Sequence, residues 1–256
     1  MHIVAICHWK DESAELVQAL ASALGVTAYE ARPRMFGNGP AVVASFADPE
    51  RAHNLARKLD QSGFTALVFD ATAVRSRAGH VIVRRFELKK WSMSIEAGDG
   101  QQTDIPYDEV DLLLPCMSIV GILETKTVTD RKLSIGKTIL SGGLPVTRKV
   151  EYQEEVSTEE RTRLLYAYAG RRAAIFSQNG VTFDGLGDAM KMSRELNFAH
   201  LTNELRRLCP GALYDDRLLN QAGQTRLLGP GLNSETNLSL AVEVLALGLR
   251  QRKPRG

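Results

Sequence analysis

Gly25-Val-Thr-Ala-Tyr-Glu-Ala-Arg32 is the stretch on which the first unit of this chain turns. Before it, Ile3 to Cys7 is a short continuous apolar run, which reads as a buried strand. From Asp11 the period changes: Leu16, Val17, Leu20 and Leu24 share one helical face, and Gly25 supplies the stop. Thr27 and Glu30 stand at the spacing of a capping box, in which hydroxyl and carboxylate each satisfy an orphan backbone N–H, so a second helix is predicted through Phe36. Pro33 opposes it, because beyond the first turn proline removes a hydrogen bond and clashes with the preceding turn. Read as a strand, Tyr29, Ala31, Pro33 and Met35 face one way and Glu30, Arg32 and Arg34 the other. Both readings of 28–36 stay open.

Pro40 to Ala47 follows as a strand. Asp48-Pro49 opens a helix, since Asp caps and Pro is tolerated at the first helical position. Its buried face is Ala52, Leu55, Ala56 and Leu59, and Phe64 to Phe69 is the last strand of the unit. In Leu24 to Arg32, Gly39-Pro40, Glu50-Arg51-Ala52 and Leu59 to Gly63 this unit resembles the C-terminal domain of the bacterial ribosomal stalk protein, a fold shared with the adaptor of the Clp protease. The resemblance implies a small α/β sandwich over residues 1–73 that docks partner proteins. Arg32 and Arg34 are the nearest substitutes for the lysines with which that family engages translation factors. A strand at 28–36 implies instead the βαββαβ order of a ferredoxin-like layout.

After the polar bridge Arg75 to Gly79 the pattern becomes strand-rich. Trp91, Met93 and Ile95 alternate as a half-buried strand does. Gly98-Asp-Gly100 is a hairpin turn, and Ile105-Pro-Tyr-Asp-Glu-Val110 leads into Leu112 to Ile122. The segment 136–160, with Gly142-Gly143, Pro145, a basic flank and the acidic run Glu151 to Glu160, reads as a long surface insertion or internal linker. Strands resume at Arg163 to Ala169 and Ala173 to Gln178. Ser193 then caps a helix with Phe198, Leu201, Leu205 and Leu208 on one face. This order over 79–219 is similar to a bacterial pleckstrin-homology-like β-barrel with a capping helix. That resemblance implies that the turn holding Arg171 and Arg172 contacts an anionic ligand or lipid headgroup.

Residues 220–256 form the third part, a C-terminal helix and a basic tail. Leu238 to Leu249 is apolar nearly all round, with Glu243 its lone charge, so it must be buried on most faces. It packs between the two domains or against a copy of itself in a homodimer.

Composition narrows the function. With 32 Lys+Arg against 30 Asp+Glu the formal charge is +2, too small a field to require nucleic acid or an anionic membrane. Aromatic content of 6% gives no stacking platform for single strands. Three scattered cysteines fit reduced thiols better than a disulfide framework, and Ile3 to Cys7 is too short for a secretory leader. A cytoplasmic location is therefore expected, and no apolar run nears the roughly 20 residues that span a bilayer.

Chemistry is sparse. Gly136-Lys137-Thr138 lacks the leading glycine of a phosphate loop, because Arg131 stands there. Cys7-His8 reads as a core thiol beside a histidine, and the five histidines show no metal-ligand spacing. Asp184 and Asp188, like Asp215 and Asp216, read as turn and cap residues. The expectation is an α+β protein with no catalytic, cofactor or metal residue, acting through protein–protein interaction. The alternatives are an anion-binding module, or an enzyme whose site assembles only in three dimensions.

Overall fold

The computed structural model describes residues 1–9, 11–37, 39–75, 79–133 and 147–252. The fold is α+β, with two sheets and helices layered on them. Strand β1 (His2–His8) is the centre of a three-stranded antiparallel sheet, flanked by β2 (Ala41–Phe46) and β3 (Thr65–Asp70), which runs on into the short helix α4 (Ala71–Arg75). Helix α1 (Ala14–Leu24) is capped by Ser13 and ends at Gly25, whose left-handed φ of 68° is the conformation a C-terminal stop needs. Helix α3 (Pro49–Gln61) is capped by Asp48 and buries Ala52, Leu55, Ala56 and Leu59, the face read from the sequence.

The alternatives at 28–36 resolve to helix. Thr27 and Glu30 complete their capping box over α2 (Ala28–Ala31), and the chain then tightens into a 3₁₀ turn, Arg32–Met35. Pro33 fits because it lies in the first turn of that segment, where no intrahelical N–H is missed. With helix here, the ferredoxin-like order does not arise.

Strands β4 (His80–Leu88), β5 (Ser92–Ala97), β6 (Gln102–Pro106), β7 (Val110–Leu133), β8 (Thr147–Ala169), β9 (Arg172–Ser177) and β10 (Leu213–Tyr214) form a second sheet in the order β10-β7-β8-β9-β4-β5-β6. Among the described residues this sheet is open, so the expected barrel is not closed. The physical reason is that its central strands are apolar on both faces. Leu112, Leu114, Cys116, Tyr166, Tyr168, Ala173 and Ile175 join one core. Leu113, Leu165, Ala167, Ala174 and Phe176 join another, under α5 (Arg194–Leu208) with Phe198, Leu201 and Leu205. A small barrel turns one face to solvent, whereas a sheet covered on both sides needs continuous apolar runs.

Residues 147–160 belong to β8, a strand of 23 residues next to β7 of 24, and 134–146 lie outside the described residues. By contact the chain divides into a unit of 1–118 with 162–256 and a unit of 119–161. The last parts of β7 and the first parts of β8 make up the smaller unit.

Within the larger unit, α6 (Gln221–Leu228) and α7 (Ser234–Arg252) account for the unified core. Leu238, Leu240, Ala241, Val242, Val244, Leu245, Ala246 and Leu249 of α7 cluster with Ile3, Ala5 and Val42 of the small sheet and with the first face of the large one. The helix is a shared middle layer, buried by its own chain. Most of the apolar surface of 238–249 is covered within the chain itself. Gly248 is required where α7 crosses the start of β2, because a Cβ there would lie 2.7 Å from Pro40 Cγ. No helix among the described residues is long and apolar enough to cross a membrane.

Candidate functional site

Two arrangements of polar side chains stand out, one inside the middle layer and one on the surface of the small sheet. In the first, Glu243 of α7 receives two donors on one carboxylate oxygen: Tyr168 OH at 2.6 Å, and His80 Nε2 at 3.2 Å. Arg250, two turns on, lies 4.9 Å from the Tyr168 ring centre and clamps Asp111 of β7 through Nε at 2.7 Å and Nη2 at 2.9 Å. Burial opposes ionisation of Glu243, but the bonds from His80 and Tyr168 and the nearby Arg250 charge outweigh it, leaving its pKa below the usual glutamate value. Burial and the same carboxylate push the Tyr168 hydroxyl far up. Tyr168 OH and His80 Nε2 are turned on Glu243 and Arg250 on Asp111, while His80 Nδ1 is buried without a hydrogen-bond partner among the described residues, an arrangement suited to holding α7 against the large sheet.

The second is a groove of about 580 Å³ between the end of α1, the strand β2 and the helix α3. Its floor is apolar: Ala23, Leu24 and Val26 from the α1 end, Val43 and Phe46 from β2, and Leu55 from α3. Its polar rim is Arg34, Arg51, Asn54 and Lys58, with no carboxylate in the lining. The α3 members recur at i, i+3, i+4 and i+7, the spacing that aligns side chains along one helix face. Arg51 lies over Phe46, 5.3 Å from the ring centre, so its stem packs on the floor while its charge stays at the rim. Arg34 is half-buried and donates from Nη1 to the Val43 carbonyl at 2.6 Å, and its Nε is buried without a partner among the described residues. Burial lowers the Arg34 pKa, and the charge of Glu30 partly offsets this. Glu30 is itself engaged, accepting from Thr27 N at 2.9 Å and Thr27 Oγ1 at 2.7 Å.

The residues singled out from the sequence separate here. Arg34 is brought to Arg51 and Lys58, while Arg32 lies exposed on the 3₁₀ turn outside the groove lining. Arg171 and Arg172 sit exposed at the β8–β9 turn, where Arg172 faces Glu109 at 3.8 Å. Asp184 and Asp188 are exposed around a short 3₁₀ segment, and Asp215 is taken up by a bidentate pair with Arg217. Cys7, Cys116 and Cys209 are buried, and burial pushes the Cys209 thiol up to about 11, far from a reactive thiolate. Among the described residues no group of three His, Cys, Asp or Glu is placed to hold a metal ion, and Gly136-Lys137-Thr138 lies outside them.

Arg51 and Lys58 were not singled out from the sequence, although their spacing on α3 was legible there. Glu243 announced itself as a lone charge in an apolar helix. His80 carried no signal, since its partner is 163 positions away. Comparison with known protein families, with curated proteins and with solved structures finds no match to this chain.

Proposed function

We propose that this chain is a docking protein without catalysis of its own, which holds an anionic segment of a partner protein in the groove between α1, β2 and α3. One observation carries the reading: three cations rim an apolar floor with no carboxylate in the lining. Such a site gains from an acidic partner twice, through charge at the rim and apolar contact below, with the charges also steering encounter. The setting proposed is the cytoplasm, where buried cysteines such as Cys7, Cys116 and Cys209 stay reduced.

The test is fluorescence anisotropy of a fluorescein-labelled glutamate-rich peptide titrated with the full chain at low and at physiological salt. Arg51→Glu with Lys58→Glu, both exposed positions, is expected to weaken binding at least about tenfold. Raising the salt is expected to weaken it as well. The double change Arg171→Ala with Arg172→Ala is expected to leave it unaltered. A loss that follows Arg171 and Arg172 instead moves the anion site to the β8–β9 turn and overturns the groove reading.

A further inference from the structure

We infer that the partner segment binds as an added β-strand: an extended acidic peptide pairs through its main chain with the free edge of β2 at Ala44–Phe46 and lays its carboxylates on Arg34, Arg51 and Lys58. The inference rests on the groove being the anion-docking site and goes further, to the backbone that carries recognition.

The lining itself gives the first argument. Val43, Ala44, Ser45 and Phe46, four residues in a row, all border the groove. The bulge opposite Val4 and Ala5 breaks the alternation and puts Val43, Ala44 and Phe46 on the α1–α3 side, while Ser45 between Ala44 and Phe46 faces the other way, so a groove that borders all four reaches round the strand's edge, where its N–H and C=O groups project. That edge has no strand beside it, since β2 ends the sheet order and pairs with β1 alone.

The edge is closed at one end and open at the other. The Val43 carbonyl is taken by Arg34, and Gly229 approaches the Val42 carbonyl so closely that a Cβ there would lie 2.6 Å from it. Beyond Val43, no hydrogen bond among the described residues caps the outer side of Ala44–Phe46. Arg34 therefore acts as an end-stop that sets where an incoming strand begins. The other edge of the same sheet is treated differently: Asp60 of α3 accepts from Ala66 N of β3 at 2.8 Å, so a carboxylate blocks it. An unpaired edge is a template for pairing, and proteins blunt the edges they do not use.

The charges match an extended ligand. Arg51 and Lys58 are seven residues apart on α3, about 10 Å along the axis, which falls between the roughly 7 Å and 13 Å separations of same-face residues in a strand. Carboxylates on one face of an added strand recur about every 7 Å, which puts two of them within reach of the long side chains of Arg51 and Lys58, whereas a flat membrane surface has no strand to offer a concave edge. Strand addition draws affinity from main-chain hydrogen bonds and selectivity from alternate side chains.

The test uses the full chain and a fluorescein-labelled ten-residue peptide of alternating glutamate and threonine, with a second version N-methylated at every second amide on the pairing side. The expected result is binding of the first peptide, weakening of at least about tenfold on N-methylation, and slowed amide exchange at Ser45 in the complex. Equal binding of both peptides, abolished by Arg51→Glu with Lys58→Glu, would overturn strand addition and leave the docking groove standing. Binding of neither peptide at low salt overturns both. Co-sedimentation with phosphatidylglycerol vesicles in place of peptide binding also overturns both, in favour of a membrane surface.

Discussion

Leu245→Ala tests whether α7 is the shared middle layer of the larger unit. Leu245 is fully buried in a core that draws Ile3, Ala5 and Val42 from one sheet and Leu112, Leu114, Tyr166 and Tyr168 from the other. Deleting its branched end removes apolar contact and leaves a cavity, and such changes cost about 3–5 kcal/mol where the surroundings cannot collapse. Collapse is resisted here because hydrogen-bonded sheets stand on both sides of the helix and cannot close by the width of a methyl group. In a chain of this size the loss corresponds to a fall of roughly 6–20 °C in Tm. Two probes make the experiment specific. Trp9, packed edge-on at 6.2 Å from Phe64, reports on the small sheet, and far-UV circular dichroism reports on the whole chain. Both urea transitions are expected to shift together, because one helix serves both sheets. A Trp9 transition that stays in place while the dichroism moves, or a total cost below about 1 kcal/mol, would refute the shared layer.

Glu243→Gln is expected to cost about 1–2 kcal/mol at pH 7 by weakening the bonds from Tyr168 and His80. Because the folded-state pKa of Glu243 is lowered, its stabilisation is present above the unfolded value of about 4.3 and is lost as pH falls through the folded value. The stability gap between wild type and Glu243→Gln should therefore close in acid, and urea titrations at a series of pH values read it directly. Gly248→Ala is expected to destabilise by about 1–2 kcal/mol despite the better helix propensity of alanine, since the new methyl meets Pro40; a stabilised variant in thermal melts would count against the close crossing. Thr27→Ala removes the cap of α2 and should cost about 1 kcal/mol, measurable by the same melts.

What the sequence disclosed follows from which interactions are local. Caps at Thr27 and Asp48, the stop at Gly25 and the buried face of α3 all lie within one helix and its flanks, and all appear as read. The open sheet was legible too, but only if Leu112 to Cys116 and Leu164 to Ala169 are read as runs buried on both faces, not as one wall of a barrel. In 147–160 the charge of Glu151, Glu154 and Glu155 suggested a linker. Val150, Tyr152, Val156 and Thr158 nevertheless fall at even positions, the period of a strand. The groove was illegible as a site because its three cations come from a 3₁₀ turn and a helix separated by a strand. Only the tertiary fold places Arg34 beside Arg51 and Lys58.

Packing of α6 and α7 also explains why one half of the β2 edge is available and the other is not. Gly248 seats α7 on Pro40, just before β2, and Gly229, at the end of α6, covers the Val42 carbonyl. These contacts fix the first half of the strand from the side of the middle layer, and Arg34 fixes it from the groove. The second half, Ala44–Phe46, keeps its ladder with β1 and so stays extended without a neighbour of its own. An edge held straight in advance spares an incoming segment the ordering cost of a mobile loop, which lets a short contact bind at all. The affinity of the groove is therefore tied to core packing on the far side of β2, and a change that loosens the seat at Pro40, such as Gly248→Ala, should weaken acidic-peptide binding even though Gly248 lies outside the groove lining.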